Sequence, residues 1–162
     1  MIPIVNIVAS PVTFNDKFLL IRRIKPPYEG LWSLVGGKIE YGEHIEDAII
    51  REVKEETDLD VKFVAVCGIV VEILYDKNKK VTGHYLMWIC ETQPKQDTSK
   101  EMGEGAIRWF TKEELLENKE KVIPSDFAMV QEFFLKPKRE LKIHKSHMLE
   151  NGKTYELEYF GI

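Results

Sequence analysis

Glu52, Glu55 and Glu56 stand three and four residues apart inside the stretch GGKIEYGEHIEDAIIREVKEETDL, residues 36–59. On a helix this spacing brings their carboxylates over one patch of space. Glu52 and Glu56 form a like-charge i,i+4 pair, which costs roughly 0.2–0.5 kcal/mol on an isolated helix. A cation among the three removes that cost, and a divalent metal is the economical choice. Charge alone also fits an ordinary solvated helix face, because Arg51 and Lys54 are mixed with the acids. The wider spacing has to decide between the two.

The elements that position these residues can be read around them. Ile45, Ala48, Ile49 and Val53 recur at three- and four-residue steps, the stripe of a helix laid on a core. Glu43, Glu46 and Asp47 put negative charge near its start, where the helix dipole favours it, and Gly42 lets the chain turn in. Upstream, Lys25 to Gly30 reads as a loop, and Leu31 to Val35 reads as a short strand delivering the chain to a turn at Gly36-Gly37.

With its intervals, the stretch resembles the signature of the Nudix hydrolases: a glycine, five residues, a glutamate, seven residues, then Arg-Glu-aliphatic-x-Glu-Glu-x-Gly-aliphatic. Gly37, Glu43, Arg51, Glu52, Val53, Glu55, Glu56 and Leu59 occupy those positions without a gap. Asp58 stands where the family has glycine, at a helix end where a left-handed conformation is common. Val35 replaces the proline that many members carry before the two glycines. Trp109-Phe110-Thr111-Lys112-Glu113-Glu114-Leu115 matches a second family motif, Trp-Phe-x-x-x-Glu-Leu, and its Thr111 and Glu114 form a helix-start signature. The resemblance covers about the first five-sixths of the chain.

The resemblance implies an α/β fold, a Nudix-type α/β/α sandwich around a mixed β-sheet. It implies hydrolysis of a pyrophosphate linking a nucleoside diphosphate to another group, with Mg²⁺ or Mn²⁺ as cofactor. Glu52, Glu55, Glu56 and the Gly37 carbonyl would be metal ligands, and Arg51 would orient a neighbouring glutamate. The catalytic base stays open among Glu52, Glu101 and Glu104. Substrate candidates are Arg22, Tyr28, Trp32, Gly36, Gly37 and Lys38; Tyr28, Trp32, Tyr85 and Trp88 could stack on a base or belong to the core. A nucleotide sugar such as ADP-ribose and a nucleoside triphosphate both fit. The alternative from another class is a non-catalytic module that senses a nucleotide.

Length and composition agree with a small enzyme. The 162 residues suit one domain, and 44% hydrophobic with 31% charged residues reads as globular. A net charge of -4 argues against a general nucleic-acid binder. No basic-then-apolar leader opens the chain and no apolar run approaches the ~18 residues of a membrane span, so a cytoplasmic location is expected. Cys67 and Cys90, in apolar strand-like runs, read as buried free thiols.

Ile2 to Ala9 and Phe18 to Ile21 read as strands of a hairpin entering the sheet. Val61 to Tyr75 and Val81 to Glu91 read as a long pair, with a bulge at Gly68. Thr92 to Gly105 is a loop, Ala106 to Phe110 a short strand, and Pro124 to about Leu135 the last helix. These make up a hydrolase domain over 1–135. Residues 136–162 read as a C-terminal β-hairpin around Asn151-Gly152, packed on the same domain. His144 and His147, three apart on a strand, point to opposite sides and are expected to be solvent-exposed. The hairpin could cap the fold, border the cleft or pair with a second subunit; the expectation is a homodimer whose interface or cleft includes it.

Overall fold

The computed structural model describes residues 2–101, 103, 105–136, 141 and 143–162. In chain order the strands are β1 Val5–Ser10, β2 Thr13–Phe14, β3 Lys17–Arg22, β4 Trp32–Ser33 and β5 Val35–Lys38; helix α1 is Ile45–Thr57. Then come β6 Val61–Tyr75, β7 Val81–Pro94, β8 Ile107–Thr111, α2 Lys112–Glu117, a 3₁₀ turn at Lys119–Lys121, α3 Pro124–Phe133, β9 Ile143–Asn151 and β10 Thr154–Gly161.

A mixed six-stranded sheet runs in the order β10-β9-β6-β7-β1-β5, and a smaller sheet joins β2, β3, β4 and β8. Side-chain alternation decides what each face covers. Val8 of β1 with Leu19 and Ile21 of β3 meets Ala48, Ile49 and Val53 of α1 in one core. Ala9 with Phe18 and Leu20 meets Phe110, Met129 and Val130 in the other. Helices therefore cover opposite sides, as an α/β sandwich requires. The capping box forms as its sequence predicts: the Thr111 hydroxyl accepts the Glu114 N–H, and the Glu114 carboxylate accepts the Thr111 N–H.

Several expectations change. β1 does not pair with β3; it lies parallel to β7 and antiparallel to β5. Being apolar on both sides, it suits a strand between two neighbours, and the hairpin partner of β3 is β2, joined through Asn15 and Asp16 at positive φ. Gly36 and Gly37 lie within β5 rather than in a turn. Glu43 precedes α1, whose N-cap is His44. Gly68 does adjoin a bulge. Cys90 is a buried free thiol, whereas Cys67 is only half-buried.

The C-terminal hairpin belongs to the large sheet. β9 runs parallel to β6 from Ile69↔Ile143 to Tyr75↔Leu149, and β10 forms the outer edge. Asn151 pairs with Thr154, so the two-residue loop is Gly152-Lys153 rather than Asn151-Gly152. The histidines do face opposite sides, but neither is solvent-exposed: His144 is buried against the rings of Phe133 and Phe160, and His147 is half-buried beside Tyr75 and Tyr159.

Two glycines record close approaches. A Cβ on Gly36 would stand 2.1 Å from the Val8 carbonyl oxygen, and one on Gly68 would stand 2.4 Å from the Phe133 ring. Phe133 can rotate away, whereas the β1 backbone cannot. Gly68→Ala is expected to cost about 1–3 kcal/mol, the usual range for overpacking, and Gly36→Ala more. Urea unfolding followed by tryptophan fluorescence checks both; parental stability in Gly36→Ala would refute the close approach.

Candidate active site

Helix α1 presents its acids to β5 because its apolar stripe is fixed in the core beneath. Arg51 organises them. Its Nε and Nη2 donate to the two Glu43 oxygens at 2.8 and 2.9 Å, in the bidentate fork that suits a guanidinium. Its Nη1 donates to Glu52 at 2.8 Å and Glu55 at 3.3 Å, and Nη2 also reaches the Lys38 carbonyl at 3.1 Å. Hydrogen bonding from Arg51 holds the Glu43 carboxyl down at about 2. Burial pushes the Glu52 carboxyl above its ordinary value, against the pull of Arg51. At the helix end Asp58 adopts the left-handed conformation, φ 60°, that the family's glycine position calls for.

The other two motif residues meet the glycine strand. Glu56 accepts the Gly36 N–H at 3.0 Å, and a Cβ on Gly37 would fall 2.5 Å from the Glu52 carboxylate, so only glycine leaves that carboxylate where it is. This suits a hard divalent cation in donor chemistry, since carboxylate and backbone carbonyl oxygens are its preferred ligands. As the side chains stand, no three acidic, histidine or cysteine side chains among the described residues are gathered closely enough to hold an ion. Arg51 engages Glu52 and Glu55, and the Glu55 side chain remains 59% exposed.

Beside β5 opens a cleft of about 510 Å³. Gly36, Gly37, Lys38 and Tyr28 line it, as the substrate assignment requires of them. Arg22 and Trp32 do not. Arg22 is exposed and donates to the Gly30 carbonyl, and its neighbour Arg23 borders the cleft instead. Trp32 packs edge-on against Phe110 at 5.2 Å, within the core. Tyr85 lines the cleft, whereas Trp88, three residues along the same strand, faces the α1 core. Glu101 is exposed next to Lys100, which bonds the end of α1 through Thr57; no described hydrogen bond or ion pair joins Glu101 to the α1 acids. Glu104 lies outside the described residues.

Two further acids lie on the cleft floor, and the sequence reading passed over both. Glu72 of β6 is 3% exposed and accepts hydrogen bonds from Tyr28 Oη at 3.2 Å and Ser146 Oγ at 3.3 Å. Burial raises its pKa, opposed by the hydroxyls around it. Asp126 of α3 is 6% exposed; its Oδ2 accepts the Leu34 N–H at 2.8 Å, and burial pushes its carboxyl up to about 7. Glu72 was visible as the one acid inside the apolar run VKFVAVCGIVVEILY. Asp126 had no such signal, because an acid in a first helical turn is ordinary.

Comparison with known proteins bears on the domain as a whole. A model of the NUDIX domain matches residues 5–133. An ADP-ribose pyrophosphatase of Methanocaldococcus jannaschii is 44% identical over 55 residues, 34% of this chain and 32% of that protein. A putative nudix hydrolase 1 of Caenorhabditis elegans is 30% identical over 132 residues, 76% of this chain and 33% of that protein. The chain thus spans about a third of the length of these two relatives. Among solved structures, a MutT protein from Bacillus halodurans shares the fold with a TM-score of 0.69 at 21% identity, covering 97% of this chain and 96% of that one. No described helix is long and apolar enough to cross a membrane. A domain match over most of the chain, on top of a signature helix whose arginine and glutamates stand against a glycine strand, establishes that this protein belongs to the Nudix hydrolase family.

Proposed function

We propose that the chain hydrolyses the pyrophosphate bond of a nucleoside diphosphate joined to another group, a nucleotide sugar such as ADP-ribose or a nucleoside triphosphate, with Mg²⁺ or Mn²⁺. One observation carries the reading: Glu43, Glu52 and Glu55 are gathered on Arg51 and Glu56 is bonded to Gly36 of β5, a strand that also borders a nucleotide-sized cleft. A module that only sensed a nucleotide would have no use for that set.

Glu52, Glu55, Glu56 and the Gly37 carbonyl would hold the metal, which when bound neutralises phosphate charge and activates the attacking water. Glu43 fixes Arg51, and Arg51 fixes Glu52. Glu52, its pKa raised by burial, is the candidate to accept the proton of the attacking water. Lys38 and Arg23 bring positive charge to the cleft for the phosphates. The reading also includes a homodimer along β10, an outer strand that exposes Tyr159 and leads to exposed Ile162.

The first test is a panel of nucleoside diphosphate sugars and triphosphates with Mg²⁺, scored by product release. Turnover is expected, and EDTA should abolish it. Glu56→Gln keeps shape and removes a hard anionic donor, so kcat should fall by roughly 10²-fold or more, by analogy with losses at metal sites. Full turnover by a folded Glu56→Gln protein would sink the assignment. Glu43→Gln, which touches no proposed ligand, should lower kcat about 10–100-fold, the range for residues that orient ligands, and raise the Mg²⁺ concentration needed for half-maximal rate. Light scattering should give twice the monomer mass; a monomer at every concentration removes the dimer.

A further inference from the structure

The floor of the cleft carries chemistry that pyrophosphate hydrolysis does not use. Phosphates call for positive charge and metal, yet Asp126 and Glu72 put two carboxyl groups there, each more than nine-tenths buried. Glu72 is engaged on both oxygens by Tyr28 and Ser146. Asp126 is only half engaged: Oδ2 takes the Leu34 N–H, and Oδ1 has no hydrogen-bond partner among the described residues. The residue is buried but Oδ1 is not sealed off, and an acceptor that opens on a cavity is placed to take a donor from a ligand there.

We propose that Asp126 Oδ1 is a specificity-determining acceptor that reads the exocyclic amino group of the substrate's base, with Glu72 as the fixed carboxyl beside it. The inference rests on the functional reading above, since the ligand is taken to be a nucleotide. Apolar and aromatic walls of Tyr28, Tyr85, Met87 and Ile7 suit a base inserted edge-first toward the floor. An oxo group in place of the amino group would bring an acceptor against acceptors. The floor is held from outside the matched domain: Ser146 of β9 bonds Glu72, and Tyr155 of β10 packs on Tyr28 at 4.4 Å between ring centres.

The test uses the whole chain and binding rather than turnover, so that it stands apart from the activity assay. Calorimetric titration with AMP against IMP, and CMP against UMP, exchanges the amino group for an oxo group and the neighbouring ring acceptor for an N–H; purine riboside 5′-monophosphate, which lacks the amino group but keeps the ring acceptor, should bind as weakly as IMP if the amino group is what is read. The amino member of each pair should bind roughly tenfold tighter or more, as for a hydrogen bond to a charged group. In Asp126→Asn the side-chain carbonyl must stay on the Leu34 N–H, which turns the NH₂ toward the cleft, so the preference should reverse. Equal affinities in the parent, or an unchanged ratio in a folded Asp126→Asn protein, overturns the proposal.

A second measurement needs no variant. Asp126 is faced by Glu72 of β6, Tyr28 of the loop after β3, Tyr85 of β7 and Arg23. Its carboxyl, raised to about 7, is the acceptor only when ionised, so the AMP:IMP ratio should grow as pH rises from 6 to 8. A ratio flat across that range counts against Asp126. Failure of the substrate panel with the AMP preference intact would instead sink the hydrolytic reading and leave this one standing.

Discussion

Two absent side chains on β5 set how closely its neighbours approach, β1 on one side and α1 above. At Gly36 there is no room for a Cβ beneath the Val8 carbonyl, and at Gly37 none beneath the Glu52 carboxylate. Because Gly37 is bare, Glu52 can rest over β5, and one residue earlier Glu56 takes the Gly36 N–H. The apolar stripe of Ala48, Ile49 and Val53 supplies the force that presses the helix down. Glycine on the strand determines how far it goes.

The same strand borders the cleft, so the acids that would hold metal and the surface that would hold substrate share one backbone segment. The two regions treat their carboxyl groups differently. On α1, one guanidinium serves Glu43, Glu52 and Glu55, and where its fork is most complete, at Glu43, the carboxyl is held down at about 2. On the cleft floor burial outweighs every cation nearby, and Asp126 goes up to about 7 although Arg23 pulls the other way. Glu43 is thus held ionised by its guanidinium, while burial favours the protonated form at Asp126 and Glu72.

How much of this could be read beforehand follows from how local each signal is. The helix phase, the capping box at Thr111 and Glu114 and the long β6–β7 pair depend on spacing within a few residues, and all three stand in the structure. The pairing of β1 depends on which distant strands lie beside it, and nothing near Val5–Ser10 names β5 and β7. The arginine that borders the cleft was missed by one residue, since strand alternation sends Arg22 and Arg23 to opposite sides and a basic pair does not say which faces in. His144 was misjudged because its burial comes from Phe133 of α3 and Phe160 of β10, elements the local pattern does not bring together.

The C-terminal hairpin is the part of the chain whose place changes most once the sheet is seen. Residues 5–133 match the family's domain, and β9 and β10 lie beyond them. Yet β9 pairs along seven residues of β6, Met148 enters the cluster of Tyr28, Leu74 and Ile123, and Ser146 holds Glu72. A strand paired in this way cannot be shifted by one residue without turning Ser146 and Met148 away from the cleft and putting Lys145 and His147 in their place. The register of β9 on β6 therefore transmits directly to the wall that a base would meet, while α1 and β5, on the far side of the cleft, are untouched by it. The contacts that hold Glu72 thus come from β9 and those that hold Glu52 and Glu56 from β5, so each group of acids has its own strand of the one sheet behind it.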